Sequence, residues 1–234
     1  MKVVFHQDFY QVYTGDPAAA SGRLEAVVET IQPYVEFVEP APAPRQYLAS
    51  VHSEMHIQQV ENRGVYEIAA LAAGGALQAA RIGLSEPSFA LIRPPGHHAS
   101  TGSAWGFCYF NNMAVALETL RRQKKIESAC ILDIDLHYGD GTVNILGKRD
   151  WVEITNIEAY SRRLYLQDVE NALKRCRADL IGISAGFDNH AADWGGLLYT
   201  GDYEEIGRRV RSTADRNQGG CFAILEGGYN HQAL

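Results

Sequence analysis

The sequence predicts an α/β protein, a three-layer α/β/α arrangement around a mostly parallel central sheet. Three observations carry this prediction. Short apolar runs alternate with segments of helical periodicity along most of the chain. The apolar run entering Asp133 is continuous, as a strand covered on both faces requires. The unusual polar residues fall just past the ends of such runs, where open α/β sheets place their sites.

Taken in order, Lys2–His6 reads as a first strand and Gly22–Gln32 as a helix, with Leu24, Val27, Val28 and Ile31 at helical spacing. Tyr34–Val38 is a second strand, closed by a rigid Pro-Ala-Pro-Ala-Pro turn at Pro40–Pro44. Short helices follow around Gln46–Val51 and Met55–Asn62. A longer one spans Val65–Ile82, whose many alanines and glycines suit close packing. Ser88–Ile92 is a buried strand stopped by Arg93-Pro-Pro-Gly96, and Asn111–Lys124 is a helix with Met113, Ala116, Leu117 and Leu120 inward. The central strand enters Asp133, followed by a helical turn near Thr142–Leu146 and a strand at Trp151–Thr155. Asp168–Cys176 reads as a helix, Leu180–Ser184 as a strand, Asp202–Asn217 as an amphipathic helix and Cys221–Leu225 as the last strand. The chain stops at Leu234, where a further helix is expected. With no linker or repeat, residues 1–234 read as one domain lacking a C-terminal helix.

Composition narrows the class. A hydrophobic content of 46% with 21% charged residues suits a globular enzyme, and a net charge of −7 argues against a nucleic-acid partner. The four cysteines, Cys108, Cys130, Cys176 and Cys221, are far apart and lack CxxC spacing. They read as reduced core residues of a cytoplasmic protein. Met1 leads directly into a strand, and no apolar run approaches the roughly 20 residues of a membrane span.

The chemistry centres on residues 130–142, Cys-Ile-Leu-Asp-Ile-Asp-Leu-His-Tyr-Gly-Asp-Gly-Thr. Alternation along a strand turns Asp133, Asp135 and His137 to one side, and two carboxylates beside an imidazole ask for a positive charge. Residues two apart lie roughly 6.5–7 Å from each other, so two of the three suit one metal ion and the third another role. A zinc hydrolase wants three protein ligands and an open position; Asp135 and His137 supply two, and Asp188, past the strand Leu180–Ser184, is the candidate third. The tandem His97-His98 suits proton transfer near neutral pH, and Asp133 and Asp140 are carboxylates at hand to orient such rings. Tyr229 follows two glycines and is placed to donate to a developing oxyanion, although taken alone it fits a core tyrosine equally well.

Arg93-Pro-Pro-Gly-His-His-Ala99, Gly106-Phe-Cys-Tyr-Phe-Asn-Asn112, Asp133–Thr142, Ser184-Ala-Gly-Phe-Asp188 and Glu226-Gly-Gly-Tyr-Asn230 arrive in an order that resembles the histone deacetylase family. That family includes acetylpolyamine amidohydrolases and related prokaryotic deacetylases. Arg23-Leu-Glu25 and Val51-His-Ser53 are weaker matches. The resemblance implies an arginase/deacetylase-like fold and zinc-dependent removal of an acetyl group from an amine, either a protein lysine or a polyamine. It implies Asp135, His137 and Asp188 as zinc ligands, and His97 and His98 as the tandem pair with Asp133 and Asp140 as respective partners. Tyr229 would polarise the carbonyl, Phe107 form one wall of the acyl tunnel, and the Gly106 carbonyl meet the substrate amide. It also implies a monovalent cation, usually K+, near Asp133, Asp135 and His137.

The chain departs from the pattern in places. Tyr138 stands where most relatives carry a second histidine. Residues 156–163 do not match the loop that supplies the second tunnel wall, for which Tyr160 is a candidate replacement. Asn189–Leu198 shows no acidic gatekeeper, though His190 and Trp194 suit the mouth of the site, with His190 equally suited to a structural role. Two rival readings are a metal-binding module that holds acylated ligands without turnover, and a two-manganese ureohydrolase, which would need a further cluster of bridging carboxylates.

Overall fold

A computed structural model of the chain describes residues 1–234. Seven strands form one sheet: β1 (Lys2–Val4), β2 (Glu36–Val38), β3 (Ser88–Ala90), β4 (Ala129–Asp133), β5 (Val152–Asn156), β6 (Leu180–Ala185) and β7 (Gly220–Leu225). Their spatial order is β2-β1-β3-β7-β6-β4-β5, and every pairing is parallel. All seven strands expected from the sequence are present. The sheet is wholly parallel, so all its carboxyl ends lie along one edge.

Eight helices pack on its two faces: α1 (Glu25–Ile31), α2 (Arg45–Leu48), α3 (Glu54–Asn62), α4 (Tyr66–Gly83), α5 (Asn112–Arg122), α6 (Asp140–Leu146), α7 (Arg162–Arg175) and α8 (Thr200–Asn217). The period of two along each strand divides the interior. Ile131, Leu180, Phe222 and Ile224 join an apolar cluster with α4 and α5, while Cys130, Leu132, Ile181, Ile183 and Cys221 join a second cluster with α7 and α8. All four cysteines are buried free thiols. No helix is long and apolar enough to cross a membrane.

Two boundaries differ from expectation. Helix α7 begins at Arg162, six residues before the expected Asp168, because Ser161 caps it and the buried stripe Tyr165–Val169–Ala172–Leu173 starts that early. The connection from β5 to α7 is therefore only Ile157–Ser161. Strand β4 ends at Asp133, so Asp135 and His137 lie in the following loop instead of alternating on the strand. Successive side chains there accept from the backbone two residues on: Asp133 Oδ1 from Asp135 N (3.1 Å), and Asp135 Oδ1 from His137 N (2.9 Å). The register sets Asp133 opposite Ser184 of β6 and Asn156 of β5, so the residues beyond these strand ends meet.

Candidate active site

Asp135, His137 and Asp188 converge beyond β4 and β6, with one ligand atom from each lying within 4.8 Å of the others. His137 Nδ1 is 3.2 Å from Asp135 Oδ1 and 3.0 Å from Asp188 Oδ2. The second approach is out of line for a hydrogen bond, and Asp188 Oδ2 remains buried without a hydrogen-bond partner. The other carboxylate oxygens are held: Leu136 N donates to Asp188 Oδ1 (3.0 Å) and Gly227 N to Asp135 Oδ2 (2.8 Å). A β-carbon on Gly227 would stand 2.6 Å from Oδ2 of both aspartates, so only glycine lets the last loop approach this closely.

The electrostatics say what the cluster lacks. Asp135, then Asp188, pull the His137 imidazole up to about 10. Burial and then Asp135 push Asp188 up to about 6. Burial opposes ionisation of Asp135, but His97 and His137 outweigh it and hold that carboxyl low. Two carboxylates and one imidazole that binds once it gives up its proton, with a buried oxygen left unpartnered, are the donor set of a divalent cation site. The residues fit a zinc ion by this test.

The tandem histidines stand beside this cluster. His97 Nδ1 lies 3.1 Å from Asp133 Oδ2, and His98 Nδ1 lies 2.8 Å from Asp140 Oδ1. With Nδ1 of each ring turned to a carboxylate, Nε2 is the nitrogen each ring points away from it. The ring centroids are 4.0 Å apart, and His97 Nε2 comes within 3.8 Å of Asp135 Oδ1. Burial and then the neighbouring His97 press His98 down to about 4. Burial also lowers His97, but Asp135 and Asp133 overcome it and hold this imidazole well above its usual value. Their loop is fixed from several sides. Glu226 Oε2 accepts from Gly96 N (2.7 Å) and His97 N (3.2 Å), and Asn111 Nδ2 donates to Ala99 O (3.0 Å).

Tyr229 closes the other side. Its ring meets Phe107 edge-on at 5.8 Å between centroids, and the Arg23 guanidinium lies 5.5 Å from its centre. Burial, then Asp135 and Asp188, push the phenol upward, so it stays protonated as a donor. Gly106 has φ +58°, and a β-carbon there would come within 2.4 Å of the His98 ring. Phe107 itself has φ +67°, a left-handed conformation costly for a bulky residue and of the kind found at functional sites.

Three contributors went unassigned in the sequence. Arg23, wholly buried, donates through Nε to Gly228 O (2.8 Å) and through Nη2 to Glu226 O (2.7 Å), fixing the loop that carries Tyr229. The Arg-Leu-Glu match hinted at it, but burial of a lone arginine leaves no periodic signal. Glu226 lies inside a quoted motif without a role; burial raises it to about 7. Trp105 stacks on His98 at 3.8 Å and donates through Nε1 to Asp140 (3.0 Å to Oδ2).

The other candidates are placed outside the cluster. Tyr160 is 99% exposed and walls nothing, so it does not replace the missing tunnel wall. His190 is occupied within its own loop, its Nδ1 accepting from Ala192 N and its Nε2 3.3 Å from Thr200 Oγ1. Tyr138 points to a cleft along β5, beside Val143, Glu153 and Arg175. An apolar cavity of about 240 Å³ lies between α8 and the sheet, and none of the candidate site residues lines it.

With fold and site in place, the comparisons define the class. Residues 18–165 and 155–234 match the histone deacetylase domain, and the chain belongs to the histone deacetylase family. It is 29% identical to a probable deacetylase of Methanothermobacter thermautotrophicus, over 99% of this chain and 87% of that protein. It is 32% identical to a histone deacetylase-like amidohydrolase of Pseudomonas aeruginosa, over 71% of this chain and 55% of that one. The crystal structure of an HDA15 HD domain superposes with a TM-score of 0.87 at 22% identity, covering 99% of this chain and 85% of that one, and shows the shared fold. The two matched stretches overlap at residues 155–165, which run from the end of β5 through the short connection into the first turn of α7.

Proposed function

We propose that the chain is a single zinc-dependent catalytic domain that removes an acetyl group from a primary amine, such as a protein lysine or a polyamine. The observation that carries this reading is the convergence of Asp135–His137–Asp188 with two His–Asp pairs and Tyr229 at one sheet edge. Zinc held by Asp135, His137 and Asp188 would supply a Lewis acid that acidifies water and polarises an amide carbonyl.

The side chains would do the rest. Nε2 of His97 and His98 faces outward from the carboxylate-bound Nδ1, and the pair takes a proton from water as it attacks the carbonyl carbon. His98, oriented by Asp140, then returns a proton to the amine as the C–N bond breaks. Adjacent rings titrate as a pair, so the two roles belong to both together. The Tyr229 hydroxyl donates to the carbonyl oxygen as negative charge develops. Gly106 O accepts from the substrate amide N–H, and Phe107 lines one side of the acyl chain. Family resemblance adds a K+ near Asp133, Asp135 and His137, while the buried thiols favour a cytoplasmic setting.

A substrate panel tests this reading. The purified protein, loaded with zinc, is given acetyl-lysine peptides, acetylpolyamines and longer acyl analogues, and free acid is measured. Release from at least one acetylated amine is expected. Stoichiometric zinc with no acid released from any of them rejects it in favour of a binding module.

A further inference from the structure

The flank of Tyr229 is covered by the loop after Asp188. Trp194 lays its indole on the Tyr229 ring, with centroids 4.1 Å apart and planes at 27°. The same indole meets the edge of His137 at 6.1 Å. Asp193 holds the backbone beneath: its Oδ2 accepts from both Tyr229 N and Asn230 N at 2.7 Å. Asn230 answers by donating from Nδ2 to Ala192 O. The loop is stiff at this point, because Gly195 N donates to Asp188 O (2.7 Å) and His190 N to Phe187 O (3.0 Å).

Trp194 is 54% exposed, so burial in the core does not explain a tryptophan here. Its fixed contact is the phenol ring. Tyr229 follows Gly228, whose φ of +113° marks a backbone that needs outside restraint. Arg23 is wholly buried against the Tyr229 ring, whereas Trp194 covers it from the solvent side.

We propose that Asp193 and Trp194 form a positioning clamp for Tyr229, the carboxylate fixing its backbone and the indole its ring plane, so that the hydroxyl is aimed before substrate arrives. The proposal rests on the deacetylase reading for its kinetic consequence but not for its geometry. A donor aimed at developing charge loses its value when it moves, and a displacement of about 1 Å can cost on the order of 100-fold in rate.

The test compares Trp194→Ala, Trp194→Phe, Asp193→Ala and Tyr229→Phe, alone and with Trp194→Ala added to Tyr229→Phe, using an acetyl-lysine peptide. Trp194→Ala is expected to lower kcat by about 10- to 100-fold with KM changed by less than about 3-fold, and Trp194→Phe to recover most of the loss. Added to Tyr229→Phe, Trp194→Ala costs nothing more. A rise in KM with kcat unchanged makes Trp194 a substrate wall and overturns the proposal, as does an additive double variant. A second readout needs no turnover. NMR of 13C-labelled tyrosine follows the Tyr229 ring resonance, which should leave its indole-shielded position in Trp194→Ala. Hydrogen exchange of the Tyr229 and Asn230 amides should accelerate in Asp193→Ala. If the wild type releases no acetate, the deacetylase reading fails, and these two signals still decide the clamp. Unchanged resonance and exchange reject it.

Discussion

At the scale of single residues, the site is an argument about charge. His137 lies against two carboxylates that pull it up to about 10, so at pH 7 it carries a proton that it must lose to become a ligand. Zinc uptake at that pH should therefore release about one proton, and affinity should rise with pH. Calorimetry in buffers of different ionisation enthalpy measures the release; a heat independent of buffer contradicts it. Tyr229→Phe should keep one zinc per chain and lose about 100- to 1,000-fold in kcat, the value of one oxyanion donor. Full activity would remove Tyr229 from the mechanism. Much of this was legible. The two-residue spacing of Asp133, Asp135 and His137 already required a division of labour, and the structure brings Asp133 to His97 while the other two meet Asp188. Arg23, Trp105 and Trp194 were opaque as contacts, because each acts on a residue far away in sequence and belongs to no periodic pattern.

At the scale of elements, position comes from ties between a loop and its neighbours. Asn111 is the clearest: Oδ1 caps α5 by accepting from Ala114 N (2.9 Å), while Nδ2 donates to Ala99 O and to Thr142 Oγ1. One side chain thus joins the tandem-histidine loop to α5 and α6. Asn111→Ala should cost about 2–3 kcal/mol, combining a lost cap with buried groups left unpaired. Urea denaturation checks this, and a loss below about 0.5 kcal/mol would mean that water replaces the side chain fully. Gly106→Ala should depress kcat by driving a methyl group into the His98 ring, and wild-type kinetics would contradict that geometry. Strand existence was readable from apolar runs bounded by Gly, Pro and charge. The start of α7 was not, because the polar Arg162 and Arg163 dilute its first turn and hide the stripe that begins at Tyr165. The end of β4 was not, because local Asp-to-backbone bonds turn the chain where alternation alone would carry the strand onward.

At the scale of the molecule, an all-parallel sheet gathers residues from 97 to 229 at its carboxyl edge, and that gathering was visible before any coordinates. Its detailed pairing was not, since strand order and register decide which neighbours meet. The proposed metal ligands come from the loops after β4 and β6, while a large part of the core lies elsewhere, under α4 and α5. Zinc should thus stabilise the fold without being required for it. At a free concentration about 1,000 times Kd the gain is about 4 kcal/mol, or on the order of 10 °C in Tm for a chain of this size. A chelated protein that remains cooperatively folded at a lower Tm fits this account; an unchanged Tm places zinc elsewhere. The central claim is tested most directly by titrating zinc into the metal-stripped protein while acetate release from an acetylated amine that the zinc-loaded protein hydrolyses is followed. The rate should climb in proportion and stop at one equivalent per chain, whereas turnover indifferent to zinc would contradict it.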